Sequence, residues 1–121
     1  MGDERMVLGR RGEDYVAAYL QRLGWQIVAR NWRCSEGEID LVARDRAGVA
    51  VVCEVKTRTG RGFGDPLEAV TWAKARRLRR LAAAWAREQT QPLAGLRVDA
   101  FGVVMHRDET ASIEHVRGIE P

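Results

Sequence analysis

The chain has 121 residues, 45% of them apolar and 31% charged, which is the make-up of one ordinary globular domain rather than two. No apolar run approaches the roughly 20 residues that cross a bilayer, and the charged N-terminus lacks a signal-peptide pattern, so no membrane span and a cytoplasmic location are expected. The net charge of +3 is mild, but the basicity is unevenly spread along the chain.

In chain order, the first predicted element is a helix over Met6–Leu23. Leu8, Gly12, Val16, Tyr19, Leu20 and Leu23 recur at helical spacing and Gly24 follows as a stop. Gly12 sits on the apolar face, where a missing side chain permits close packing on a sheet, and Glu13 borders that face. Three strands follow over Trp25–Cys34, Glu38–Arg44 and Val49–Thr57, rich in Ile, Val and Trp. The connections Ser35–Gly37 and Asp45–Gly48 are short enough for hairpins, which makes the three strands an antiparallel meander. Cys34 and Cys53 are too few and too far apart for a zinc knuckle or a CxxC pair and read as reduced thiols.

After a Gly-rich loop over 59–64, Asp65, Pro66 and Glu68 form a helix-start signature, and a helix is predicted from there to about Gln89. Residues 72–87 carry Lys74, Arg76, Arg77, Arg79, Arg80 and Arg87 with no acid, so the rest of the chain is net negative. A cationic stripe on an acidic body suits a polyanion, and a solvated helix face accounts for it equally well. Lys74 falls on the inward line of this helix, whereas Arg76, Arg80 and Arg87 point away. Strands over Leu96–Met105 and Ala111–Val116 complete an α/β sandwich with a mixed central sheet flanked by helices, in the order α-β-β-β-α-β(-β), with the core over about 6–105.

The chemically informative residues lie in Gly37-Glu38-Ile39-Asp40 and Glu54-Val55-Lys56. Side chains alternate along a strand, so Glu54 and Lys56 share a face, and hairpin pairing can bring Asp40 beside Glu54. Two carboxylates that close repel unless a proton or cation intervenes, and a hard cation such as Mg2+ takes oxygen ligands. Lys56 is placed to orient a water or offset developing negative charge. A surface ion pair is the plainer reading, but the apolar run Ala50–Cys53 before Glu54 marks an interior strand, where charges need partners.

These motifs resemble the bacterial UPF0102 family, itself similar to archaeal Holliday-junction resolvases and the wider PD-(D/E)xK nucleases. The resemblance rests on Gly9-Arg10-Arg11-Gly12-Glu13 with Ala17 and Leu20, on Asn31-Trp32-Arg33 and on Gly37-Glu38-Ile39-Asp40-Leu41-Val42. It continues through Glu54-Val55-Lys56-Thr57-Arg58, Phe63-Gly64, Lys74 and Arg97-Val98-Asp99, spanning about Gly9–Val104. It implies a restriction-endonuclease-like fold, with Asp40, Glu54 and the Val55 carbonyl as ligands of Mg2+ or Mn2+ and Lys56 as the catalytic lysine. Glu13 is implied as the further acid near the metal, and a homodimer acting on branched DNA is the implied assembly. Ile39 stands where the superfamily's name has proline.

Arg58, Arg61, Lys74, Arg76 and Arg80 are the candidate nucleic-acid contacts. Asp99 is expected to pair with a nearby Arg, His106 and His115 to lie at the surface, and Trp25, Trp32, Trp72 and Trp85 to pack in the core. A nuclease, a non-cleaving nucleic-acid-binding module and a protein adaptor are the function classes compatible with this pattern.

Overall fold

Strand-forming residues between 26 and 59 do pair as a meander, and the helices that flank it close both faces of one sheet. The computed structural model describes residues 4–60 and 65–119. Its elements are α1 (Glu4–Arg22), β1 (Gln26–Cys34), β2 (Gly37–Arg44), β3 (Val49–Thr59), a 3-10 turn over Pro66–Ala69, α2 (Trp72–Arg87), β4 (Gly95–Met105) and β5 (Ala111–Val116). The sheet order is β1-β2-β3-β4-β5; β3 and β4 are parallel and every other pair is antiparallel. The parallel step requires a crossover, and α2 makes it. Among the described residues no helix is long and apolar enough to cross a membrane.

Burial on both faces explains the composition of β3. Val51, Cys53 and Val55 lie with Val16, Ala17 and Leu20 of α1, while Ala50 and Val52 lie with Leu78, Leu81, Ala82 and Trp85 of α2. A strand covered on both sides reads as a near-continuous apolar run, as this one does up to Cys53.

The ladders are unequal in length, and this shapes the molecule. β3 stays paired to β4 from Val49↔Gly95 to Thr59↔Met105, whereas β2 pairs with β3 only from Arg44↔Ala50 to Leu41↔Cys53. β2 nevertheless remains on β1 as far as Cys34↔Gly37. Beyond Leu41 and Cys53 the sheet therefore forks, leaving Asp40 on one prong and Glu54, Val55 and Lys56 on the other.

The predicted helix over 65–89 is two elements. Asp65 Oδ1 accepts from the Leu67 N–H at 2.9 Å and caps only the 3-10 turn; Val70 then returns to extended backbone, and Thr71 caps α2 by accepting from the Lys74 N–H. The cause is tertiary. Leu67 packs over Gly102 so closely that a Cβ there would lie 3.0 Å from Leu67 Cγ, which pins the turn to β4 and breaks the helix. Two further expectations fail. Trp72, on the first turn of α2, is 67% exposed, unlike the buried Trp25 and Trp85. The His115 side chain is 7% exposed, because the alternation of β5 turns it inward, where it stacks on Phe101.

His115 Nε2 lies 2.7 Å from Asp99 Oδ2, and Asp99 also accepts from the Arg97 guanidinium and the Gly118 N–H. Asp99 thus does pair with an Arg. Burial alone would raise its pKa, but the bonds from His115, Arg97 and Gly118 outweigh it and hold the carboxyl below the usual range.

Gly12 packs against β3 as its position on the apolar face of α1 predicts. A Cβ there would overlap Thr57 Oγ1 and lie 3.0 Å from Thr57 Cβ and Cγ2; Thr57 Oγ1 is itself buried without a hydrogen-bond partner. Gly12→Ala should therefore cost roughly 2 kcal/mol or more in urea unfolding. In a Thr57→Ala background the same substitution should cost distinctly less, since Oγ1 and Cγ2 are gone.

Candidate active site

The site is built from the fork outward. Asp40 Oδ2 accepts from the Val55 N–H at 2.9 Å, taking the position that a β2 carbonyl would fill had the ladder continued. N–H and C=O of one residue in a strand point to the same edge, so the Val55 carbonyl also faces the fork. Glu54 and Lys56 project together, as alternation requires, with Lys56 Nζ 3.2 Å from Glu54 Oε1; their side chains are 16% and 32% exposed.

Burial and the neighbouring Glu54 carboxylate push the Asp40 carboxyl up from an ordinary 3.8 to about 7. The Val55 N–H and Lys56 act against this rise, and Glu13 adds to it. Asp40 and Glu54 are therefore close enough to compete for negative charge. Glu13, on α1, is raised chiefly by its own burial, and Asn31 Nδ2 donates to its Oε1 at 3.2 Å.

On the α2 side, a cleft of about 260 Å³ is lined by Glu38, Glu54, Lys56, Val70, Lys74, Arg77, Leu78 and Leu81. Lys74 is solvent-exposed yet lines this cleft, so it lies on a flank of α2 rather than beneath it. Arg77 was not singled out from sequence. Its position one turn after Lys74 and one turn before Leu81 was the available signal. Its Nε and Nη2 donate to the Glu36 carbonyl at 3.3 and 3.1 Å, tying α2 to the β1–β2 turn. Arg76 and Arg80 are exposed and do not line the cleft; Arg58 is half-buried near the end of β3; Arg61 lies outside the described residues. A second groove of about 250 Å³ on the α1 side is lined by Met6, Gly9, Arg10, Glu13, Asn31, Arg33 and Glu38, so the two hollows share Glu38.

The donors at the fork are oxygens, which suits a hard divalent cation over a soft one. Among the described residues no three His, Cys, Asp or Glu side chains converge to enclose an ion. A cation here would take Asp40 and Glu54, with main-chain oxygen and water completing the shell. That fits Mg2+, which gives up water reluctantly.

A family model described as Uncharacterised protein family UPF0102 matches residues 12–103. The chain belongs to this family. The matched span holds every residue of the fork and cleft named above. The chain is 48% identical to a UPF0102 protein of Acidothermus cellulolyticus over 94% of its own length and 93% of that protein's. It is 52% identical to one of Clavibacter michiganensis over 91% and 92%, and 47% identical to one of Mycolicibacterium smegmatis over 95% and 94%. These UPF0102 names state no activity, so the functional reading comes from the site.

Asp40 supplies a test of its charge environment. A carboxyl whose pKa is raised on folding is neutral at no cost below its unfolded pKa and weakens the fold as pH climbs to about 7. Asp40→Asn keeps an acceptor for the Val55 N–H and removes that charge. In chelating buffer it should leave the melting temperature near wild type at pH 4 and raise it progressively above that. The gain should level off past pH 7, on the order of 4 kcal/mol for the full rise from 3.8 to about 7.

Proposed function

We propose that the fork is a divalent-cation phosphodiesterase site acting on nucleic acid, with structured or branched DNA as the substrate. The observation that carries this reading is the junction itself: Asp40 bonded to the Val55 N–H, with Glu54 and Lys56 flanking Val55 on the other prong. A structural ion pair has no use for a second acid pressed against it at the cost of a strongly raised pKa. A cation site does.

In this reading Asp40, Glu54 and the Val55 carbonyl hold Mg2+ or Mn2+, and Glu13 is the additional acid from α1. When bound, the ion polarises a phosphoryl oxygen and makes a water more acidic. Lys56, held beside Glu54, orients the attacking water and offsets charge building on the phosphate. Lys74 and Arg77 grip the phosphate backbone along the cleft, with Arg58 reaching it from the end of β3. Arg76 and Arg80, on the outer face of α2, contact more distant phosphates. The mixed sheet with one helix on each face, the fork and the E-x-K strand together support a restriction-endonuclease-like fold of the PD-(D/E)xK kind. A resolvase-like reading entails a homodimer in the cytoplasm, since two scissile phosphates need two sites.

The test is calorimetric titration of Mn2+ into wild type and Glu54→Gln, followed by incubation with branched and linear DNA. Wild type should bind and cut. The variant should bind at least tenfold more weakly and cut at least a hundredfold more slowly. Wild-type affinity should fall as pH drops through about 7, because Asp40 then takes a proton in place of the ion. A wild type that binds no Mn2+, yet forms a salt-sensitive DNA complex without cleavage, would replace this reading with that of a binding module.

A further inference from the structure

Two non-glycine residues among those described have left-handed backbone, Asn31 at φ 52 and Glu109 at φ 67. Glu109 lies in the β4–β5 turn, where such a conformation is ordinary. Asn31 lies inside β1, where it is not. The pairs on either side, Arg30↔Leu41 and Trp32↔Ile39, leave Asn31 opposite Asp40. The irregular residue and the fork acid therefore occupy the same rung of the sheet.

The backbone twist has a definite consequence for side-chain direction. Successive side chains of a regular strand point to opposite faces. Here Arg30 and Asn31 both turn to the α1 face, and they bond adjacent residues of that helix. Arg30 Nη2 donates to Asp14 Oδ1 at 2.6 Å, and Asn31 Nδ2 donates to Glu13 Oε1 at 3.2 Å. Regular β-geometry would send residue 31 to the α2 face and leave Glu13 without this donor. An ionised carboxylate can only accept, so the amide nitrogen is the end of Asn31 that faces it.

We infer that Asn31 is the positioning residue for Glu13, and that its left-handed backbone exists to hold the Glu13 carboxylate on the α1 side of the rung that carries Asp40. Its consequence for cation binding rests on the nuclease reading; the hold on Glu13 does not. Three features bear on it together. Asn is the side chain other than Gly that most readily adopts this conformation, and its amide supplies a donor that Gly lacks. Gly12, one residue before Glu13, packs directly on the Thr57 side chain and brings α1 close to β3. Asn31 and Glu13 also line the same groove on the α1 side, so the contact stands at the edge of the candidate site and not under it.

The closing experiment separates hold from fold. Asn31→Gly keeps the left-handed backbone available and deletes only the amide; Asn31→Asp keeps the shape and sets an acceptor against Glu13. Each is compared with wild type by melting temperature and by the Glu13 side-chain rotamer from NMR couplings in chelated protein. Mn2+ affinity is measured as well, alone and in a Glu13→Gln background. Asn31→Gly should melt at or above the wild-type temperature, free a Glu13 rotamer that is fixed in wild type, and weaken Mn2+ binding about tenfold or more. Asn31→Asp should weaken it further. In the Glu13→Gln background Asn31→Gly should add nothing, because the residue acts through Glu13. A Glu13 rotamer unchanged by Asn31→Gly would overturn the inference, as would an equal loss of Mn2+ affinity in the Glu13→Gln background. If wild type binds no Mn2+, the nuclease reading fails alone. The rotamer then decides the inference: freed by Asn31→Gly it stands, unchanged it falls.

Discussion

The hydrogen bond from the Val55 N–H to the Asp40 carboxylate is the contact on which the rest of this molecule turns. It lets a side chain stand in for a strand. Where β2 leaves β3, the main-chain groups of β3 lose a ladder partner, and a buried N–H without one costs free energy comparable to a lost hydrogen bond. Asp40 satisfies that donor while its prong bends away. Glu54 and Lys56, on the prong that β2 leaves, line the hollow on the α2 side.

That solution carries a tension that the core does not. A carboxyl pushed up to about 7 by burial and by a neighbouring acid is a group the fold would be better without, in the absence of something positive between the two. Asp99 makes the contrast plain. It is fully buried, yet it accepts from Arg97, His115 and Gly118 and is held in its charged form. One acid is saturated with donors and ties β4 to β5 and to the chain that follows. The other has a single main-chain donor and feels the charge of Glu54 and, less strongly, Glu13. Buried charge is fully partnered at Asp99 and short of partners at Asp40.

Cation placement divides similarly. Lys56, Lys74 and Arg77 line the cleft alongside Glu38 and Glu54, and Arg77 is anchored by the Glu36 carbonyl, so α2, the β1–β2 turn and β3 are tied around one hollow. Arg76 and Arg80 share the helix but lie on its solvent side. On the opposite face Gly12 brings α1 against Thr57, and the paired contacts of Arg30 and Asn31 with Asp14 and Glu13 fix how that helix meets β1.

Much was legible in the chain alone. Helix period, strand alternation and turn residues gave the element order and the meander. The E-x-K spacing put Glu54 and Lys56 on one face, and the bare position at Gly12 announced a close approach. These are local properties, set by backbone geometry within a few residues. What the sequence could not supply were matters of who meets whom. The sheet forks beyond the Leu41–Cys53 pair because the β2–β3 and β3–β4 ladders have different lengths, and nothing in either strand encodes the other's end. The single expected helix over 65–89 broke because Leu67 found Gly102, far along the chain. His115 went inward because β5 pairs in a register that turns it toward Phe101, and Trp72 stayed out because α2 begins only there. Asn31 looked like an ordinary strand residue until β1 was laid beside β2 and α1. Periodicity decides which face a residue takes in a regular element; only tertiary packing decides where regularity stops, and in this protein the candidate site lies where it stops.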